Sequence, residues 1–247
     1  MRRAVGRWLT PLVLLAAAAG VVAWAHHGAD AAEAGVLATA NLARRLREHV
    51  GLCAASTVLA VVAAVPAGVA ASRPRWRRLG AGVLFVANVG QSVPTIAVLA
   101  LAFSVTGIGF RTAVIGLWAY SVLPVLRNTV AGLGGVDPAV VEAARGMGLS
   151  PAQVLRRVEL PLAWPVILAG IRTAAVVNVG TAALATFVGA GGLGDLITVG
   201  LDNQRDRILY TGAALTALLA LAVDWALAVA ADLTGPSRGN RRSSARI

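Results

Sequence analysis

The sequence predicts an all-α polytopic membrane protein: a bundle of about six transmembrane helices with a short helix-turn-helix loop on the cytoplasmic side. Three observations lead to this prediction. Hydrophobic residues make up 57% of the 247 residues and charged residues only 13%, which is too apolar for a soluble domain of this size. The apolar residues form runs of about 20, the length that crosses a bilayer as a helix. Arginines cluster beside these runs, as the positive-inside rule predicts.

The net charge of +11 is carried entirely by arginine, since the chain has no lysine. A nucleic-acid partner is one explanation, but short clusters flanking apolar runs favour membrane topology. With the polar interval at 127–161 placed in the cytoplasm, fifteen arginines fall inside, six fall outside and Arg172 lies within a span. We therefore predict that both chain ends are cytoplasmic.

The first apolar run, residues 9–25, follows Arg2, Arg3 and Arg7 and ends in a small-x-small pattern. A cleaved signal peptide and a retained span both fit this pattern, and we favour the retained span; cleavage would leave five spans. Residues 26–49 then predict an amphipathic helix on the outer surface. Its apolar positions recur at helical spacing: Leu37, Leu42, Leu46 and Val50.

The remaining apolar runs predict the other spans. They cover residues 51–71, 79–105, 112–126, 162–188 and 208–233, with a basic cytoplasmic turn at 72–78. Residues 1–49 therefore form an N-terminal span with an outer segment, 50–233 a transmembrane domain and 234–247 a basic cytoplasmic tail. The run at 79–105 is interrupted by polar residues and Pro94, which are tolerated in mid-membrane mainly where protein or water satisfies the backbone.

The polar interval Asp137–Pro161 predicts two short helices joined by a tight turn. Asp137 is a good N-cap and Pro138 fits the first helical position. Gly146 and Gly148 mark the end of the first helix, and Ser150 to Gln153 supplies a capping box for the second. Pro161 is expected to end the second helix, because proline cannot donate to the helical ladder.

The same interval resembles the EAA loop of ABC importer permeases. The matching residues are Glu142, Ala143, Ala144, Gly148, Val158, Leu160 and Pro161. Only Val158 departs from the family pattern, which has isoleucine there. The resemblance implies that this loop docks into a groove of a separate ATP-hydrolysing subunit. ATP and magnesium would then be bound by that partner, and this chain would bind no cofactor itself.

The resemblance extends over roughly residues 50–230 and points to one branch of the family. The segments at 91–94, 123–128, 169–173 and 189–195 look like the permeases that import glycine betaine, carnitine and choline. Methionine and other amino-acid importers are the alternative. The resemblance implies a bacterial cytoplasmic membrane location, a separate extracytoplasmic binding protein, and a second permease that is either a copy or a paralogue.

Six polar residues in the spans on either side of the loop are candidates for the solute path. They are Asn88, Gln91, Ser92, Thr95, Asn178 and Thr181. Polar groups inside a membrane usually face protein or water, but small polar residues also pack helices together. Arg172 and Asp224 lie inside spans and either pair with each other or act separately; a substrate role is a further alternative.

Other functions have weaker support in the sequence. An ion-coupled secondary transporter typically uses intramembrane carboxylates, and only Asp224 qualifies. The chain contains no G-x-S-x-G, H-E-x-x-H or phosphate-binding G-K-[ST] motif, so an enzyme lacks candidate residues. Gly189 to Gly194 match the dinucleotide fingerprint in form, but a membrane span precedes them where a strand is required. We interpret that segment as a flexible outer or re-entrant loop.

Overall fold

A computed structural model describes residues 2–234 except residues 74 and 76, so the predicted tail lies almost entirely outside the described residues. The described chain is helical. In chain order the helices are α1 (Arg2–His26), α2 (Ala31–Leu37), α3 (Thr39–Ala71), α4 (Arg77–Gly90), α5 (Thr95–Thr106), α6 (Phe110–Gly134), α7 (Pro138–Gly146), α8 (Pro151–Val154), α9 (Leu160–Thr181), α10 (Gly194–Asp202) and α11 (Asp206–Thr234). A π-helical turn, Leu155–Glu159, joins α8 to α9, and a 3₁₀ segment, Ala182–Val188, follows α9.

Among the described residues, five helical stretches are long and apolar enough to cross a membrane, and the bent pair α4–α5 would make a sixth span. The five contain α1, α3, α6, α9 and α11. The prediction of an all-α bundle of about six spans is confirmed.

Three of the spanning helices, α3, α6 and α9, pack together to form the core. Buried aliphatic residues from all three meet in two clusters, one towards each end of the bundle. Close approach of α9 to α6 depends on Gly170, because a Cβ there would lie 2.8 Å from the Pro124 carbonyl oxygen and 2.5 Å from Asn128 Cβ. Helix interfaces in membranes commonly use small residues in this way.

The outer helices form a second layer. α11 packs against α9, α10 and α1, and a third buried cluster joins Ala25 of α1, Leu37 of α2 and Leu215 of α11. α1 therefore belongs to the folded bundle.

The prediction of one amphipathic helix at residues 26–49 is wrong. A capping box between Asp30 and Glu33 begins the short helix α2, and Thr39 then begins a helix that continues without a break to Ala71. Leu37 and Leu42 are buried in the bundle, whereas Leu46 and Val50 are exposed. Since no proline or glycine pair interrupts residues 39–50, the apolar span simply extends the helix through them.

The predicted bounds of two other spans also change. The run at 79–105 is two helices bent by 100° at the break between Gly90 and Thr95. α6 extends to Gly134, so Arg127 and Asn128 are helical. The Asn128 side-chain amide donates to the Pro124 carbonyl of the same helix at 2.8 Å.

The bundle has two ends. We call the end that carries α7, α8 and the turn after α3 the loop end. The opposite end carries α2, α10 and the glycine-rich segment 189–195.

Candidate functional site

The first helix of the loop, α7, begins as the sequence predicts. Asp137 caps it by accepting a hydrogen bond from the Ala139 amide at 2.9 Å, and Pro138 occupies the first helical position. Val141 on this helix packs against the buried cluster of α6 and α9. α7 is therefore anchored on the body of the bundle by its inner face.

The turn after α7 is a Schellman motif with Gly148 in the left-handed conformation. The Gly148 amide donates to the Arg145 carbonyl at 2.9 Å, and the Leu149 amide donates to the Ala144 carbonyl at 3.3 Å. Gly148 has φ +82°, and a Cβ at this position would meet no atom within 4 Å. Backbone conformation, not space, makes glycine the favoured residue here.

The second helix begins at the predicted capping box but does not end at Pro161. Ser150 accepts from the Gln153 amide, and Gln153 Oε1 accepts from the Ser150 amide at 2.8 Å. After one turn the helix widens into the π turn Leu155–Glu159 and continues into α9. Because Pro161 has no amide hydrogen and its ring crowds the preceding turn, the wider turn accommodates it without ending the helix.

The outer face of the loop combines apolar and charged side chains. Met147 is 74% exposed and Val140 is 42% exposed, while Ala143 is exposed next to them. Ala144 is only 1% exposed and packs inward, so of the two alanines only Ala143 can face a partner in this conformation. Four exposed charged residues have no ion pair among the described residues: Glu142, Arg145, Arg156 and Arg157.

Five of the six candidate path residues lie on exposed or half-buried positions. The Asn88 amide donates to the Leu84 carbonyl of its own helix at 2.8 Å. The Gln91 amide donates across to the Tyr120 carbonyl of α6 at 3.1 Å and so holds the bend between α4 and α5. Ser92 and Thr95 follow at this bend, and Thr181 ends α9. The four residues from 88 to 95 are thus grouped around one break.

Asn178 is the exception, because it is 0% exposed. Its amide nitrogen donates to the hydroxyls of Ser56 at 2.9 Å and Thr57 at 3.0 Å, and its amide oxygen accepts from Ser121 at 2.6 Å. These hydrogen bonds form a node that joins α3, α6 and α9 in the core. Asn178 therefore packs helices together, as the second of the two interpretations of the polar residues predicts. The sequence shows Ser56, Thr57 and Ser121 as polar residues inside apolar runs, but only tertiary contacts bring them together.

Replacing Asn178 with alanine is expected to destabilise the protein by about 1–2 kcal/mol, because the three hydroxyls lose a shared partner inside the membrane. Thermal unfolding in detergent measures this change. Thr173→Ala on the same helix is the control, since the Thr173 hydroxyl bonds only to its own helix at Ala169. Equal unfolding temperatures for the two variants would contradict the node.

Arg172 and Asp224 pair with each other. Arg172 Nε donates to Asp224 Oδ1 at 2.5 Å and Arg172 Nη2 donates to Oδ2 at 2.6 Å, a bidentate contact between α9 and α11. The pair lies in an open groove of about 430 Å³ whose walls include Pro165, Leu168 and Thr173. Each charge in the span is thereby compensated, which lowers its cost in the membrane.

The glycine-rich segment 189–195, for which the sequence predicts a flexible outer or re-entrant loop, is held by contacts with α3. Glu48 accepts from the Gly192 amide at 3.0 Å, Arg45 forms an ion pair with Asp195, and buried His49 accepts from the Leu193 amide at 3.2 Å. Because its Nδ1 accepts, the neutral His49 ring donates from Nε2 to the Val179 carbonyl at 2.9 Å. The segment follows the 3₁₀ end of a span, Ala182–Val188. The strand that a dinucleotide-binding motif requires does not precede it, so the match to that motif carries no function.

A second polar link closes the same end of the bundle. Arg205 pairs with Asp30, and Arg207 donates to the Trp24 carbonyl at 2.7 Å while its guanidinium lies over the Trp24 ring. The pKa of Asp30 is lowered from its ordinary value, first because it accepts from the Glu33 amide and then because it accepts from Arg205. Six arginines fall on the outer side in the predicted topology, against the positive-inside rule. Three of them hold this end of the bundle together: Arg45, Arg205 and Arg207.

Comparison with known proteins now gives the family. The family described as "Binding-protein-dependent transport system inner membrane component" matches residues 56–232. The chain is 42% identical over 184 residues to the choline transport system permease protein OpuBB of Bacillus subtilis, covering 74% of this chain and 83% of that protein. It is 44% identical over 182 residues to the osmoprotectant import permease protein OsmY of Salmonella typhimurium, covering 74% and 77%.

A solved structure of the MetNI methionine ABC transporter in an inward-facing conformation shares the fold. It aligns with a TM-score of 0.71 at 25% sequence identity and covers 79% of this chain and 96% of that chain. The match over residues 56–232 includes the loop from Asp137 to Pro161, the bend between α4 and α5, and both members of the Arg172–Asp224 pair. This chain therefore belongs to the family of inner-membrane permease components of binding-protein-dependent transport systems.

Proposed function

We propose that this chain is the permease subunit of an ATP-driven importer for a small quaternary-amine osmoprotectant such as glycine betaine, choline or carnitine. Relatives that are 40–44% identical are described as choline, carnitine or osmoprotectant permeases. The methionine transporter is less similar in sequence, at 25% identity, although it shares the fold. These identities favour the quaternary-amine branch over the alternative of methionine or another amino acid.

The single observation that best supports this function is the surface of the loop from α7 to α8. It presents exposed Val140, Ala143 and Met147 beside the exposed charges of Glu142 and Arg145. Exposed apolar patches rimmed by polar residues mark interaction sites. We propose that this surface docks on the ATPase subunit, which binds ATP and magnesium.

The remaining residues of the family pattern have a different part in coupling. Val158 and Leu160 are partly buried and Pro161 lies in the first turn of α9, directly after the π turn. They connect the docked surface to the spanning helix instead of forming the docking surface. Ala144, on the buried inner face of α7, contributes to the same connection.

For the solute path we propose the residues at the bend between α4 and α5, together with Thr181 on α9. The bend residues are Asn88, Gln91, Ser92 and Thr95. Polar groups and non-helical backbone at membrane depth are tolerated where they line a cavity or are buried in protein. Neither α4, α5 nor α9 contains an acidic residue, so a cationic solute would not be held tightly there. Weak holding suits a path that must release its solute.

The proposed assembly also contains a separate extracytoplasmic binding protein and a second permease, either a copy of this chain or a paralogue. It lies in the bacterial cytoplasmic membrane, with the loop end towards the cytoplasm. The cytoplasmic placement follows from the arginine count, because the turn at 72–78 and the loop at 127–161 lie at this end.

The test is uptake of labelled solute by proteoliposomes that contain the permease, its ATPase and its binding protein. We expect ATP-dependent uptake of glycine betaine or choline that excess unlabelled methionine does not inhibit. Methionine uptake would select the amino-acid alternative. Uptake that needs a proton or sodium gradient and no ATP would select a secondary transporter.

A further inference from the structure

Glu159 lies between Val158 and Leu160, at a position that the loop pattern leaves unspecified, yet it is almost completely buried. It is 8% exposed and forms an ion pair with Arg73. Arg73 Nη1 donates to Oε1 at 3.2 Å, and Nη2 donates to Oε2, so the contact is bidentate. It joins two segments that are 86 residues apart in the chain.

The two partners lead to different helices. Glu159 ends the π turn, and α9 continues directly from it. Arg73 lies just after α3 and before α4, and the far end of α4 carries Asn88 and the bend. The ion pair is therefore a direct contact between the end of the loop and the turn that joins α3 to α4, the helix that leads to most of the proposed path residues.

The burial of Glu159 disfavours its separation from Arg73. A buried carboxylate that loses its partner is strongly disfavoured, because it stays removed from water without compensation. The π turn just before α9 closes with the Leu160 amide donating to the Leu155 carbonyl, five residues back, and such turns often occur at functional sites. Glu159 is the last residue of this turn, so the turn sets where its carboxylate lies relative to α9.

We propose that the Arg73–Glu159 ion pair is a second mechanical link between the ATPase and the solute path. α9 moves with the loop because the backbone is continuous, and the start of α4 moves with it because Arg73 is bound to Glu159. Both residues are positioning residues and neither touches the solute. The inference rests on the proposed function of the loop.

The test uses the complete transporter in proteoliposomes and measures uptake, ATP hydrolysis and their ratio. We expect Glu159→Gln and Arg73→Gln each to lower solute uptake per ATP hydrolysed by about tenfold, the order expected for losing charge-assisted hydrogen bonds. The exchange variant Arg73→Glu/Glu159→Arg should recover much of the ratio. ATP hydrolysis itself should stay close to wild type, since the docking surface is unchanged.

Arg75→Glu is the matched control. Arg75 is exposed in the same turn and has no ion pair among the described residues, so its reversal changes the charge of the turn without breaking a link. A wild-type ratio in Glu159→Gln or Arg73→Gln would overturn the proposal. Parallel loss of uptake, ATP hydrolysis and folded yield, with no recovery in the exchange variant, would show a merely structural pair and would also overturn it.

A second measurement separates this inference from the choice of solute. Spin labels on exposed Val62 of α3 and Val83 of α4, in a Cys53→Ala background, report the distance between the two helices. We expect ATP or trapped ADP-vanadate to change this distance in the wild type and to change it much less in Glu159→Gln. An equal distance change in the wild type and in Glu159→Gln would reject the link, whichever solute is transported. If the two distance changes differ as expected but betaine is not taken up, only the choice of solute is rejected.

Discussion

Replacing Gly148 with aspartate is expected to leave the protein folded in the membrane but to separate ATP hydrolysis from uptake. The left-handed backbone at Gly148 makes a side chain cost about 1–2 kcal/mol, and aspartate tolerates this conformation better than most residues. The added carboxylate lies in the turn between the two helices that we propose to dock. We expect uptake to fall by at least about tenfold, because an unpaired charge in a docked interface costs more than 1.4 kcal/mol.

Gly148→Asn provides the control for this prediction. Asparagine has nearly the same size as aspartate and also tolerates the left-handed backbone at this position, but it adds no charge. We therefore expect Gly148→Asn to retain more uptake than Gly148→Asp. Uptake and ATP hydrolysis are measured in the same proteoliposomes, with membrane insertion checked by yield. Unchanged transport in Gly148→Asp would rule out docking through this turn.

Removing Asp224 is expected to reduce the folded yield. Asp224→Ala leaves Arg172 without its bidentate partner inside a span, where insertion scales assign an uncompensated arginine about 2.5–3.5 kcal/mol. The Arg172 side chain is 41% exposed and long enough to extend towards the interface, so the effect should fall at the lower end of this range. Yield of monodisperse protein and thermal unfolding in detergent measure it.

The exchange variant Arg172→Asp/Asp224→Arg tests whether the pair itself matters. We expect it to recover most of the yield that Asp224→Ala loses, because both charges are again compensated. Asp232→Ala is the control, since Asp232 lies two turns further along α11 and has no ion pair among the described residues. A yield in the exchange variant as low as that of Asp224→Ala would mean that each charge has its own environment and that the pair does not govern folding.

The loop illustrates how much local sequence determines. The caps at Asp137 and Ser150 and the turn at Gly148 depend on contacts within five residues, so the sequence predicts them correctly. The sequence predicts that Pro161 ends the second helix, because proline disrupts a regular α-helix. The π turn before it relieves the crowding, and it forms where Leu155 and Leu160 pack on the core.

The polar residues of the spans show the opposite case. Asn88 and Asn178 look alike in the sequence, since each is an asparagine within an apolar run. One lies exposed near a bend and the other is enclosed by hydroxyls from two other helices. Nothing within a few residues of either distinguishes them, because Asn88 bonds within its own helix at Leu84, whereas the partners of Asn178 lie 57 to 122 residues away.

The caps and turn of the loop, the approximate number of spans and the family were determined by the sequence alone. Hydropathy, helix caps and motif spacing are local properties, and a bilayer reduces the choice of spanning structure to helices. Only the tertiary structure decided that Arg172 pairs with Asp224, that His49 and Glu48 hold the glycine-rich segment, and that Arg73 reaches Glu159. These contacts join segments 50 to 150 residues apart, and packing of α3, α6, α9 and α11 selects which of many possible charge partners meet.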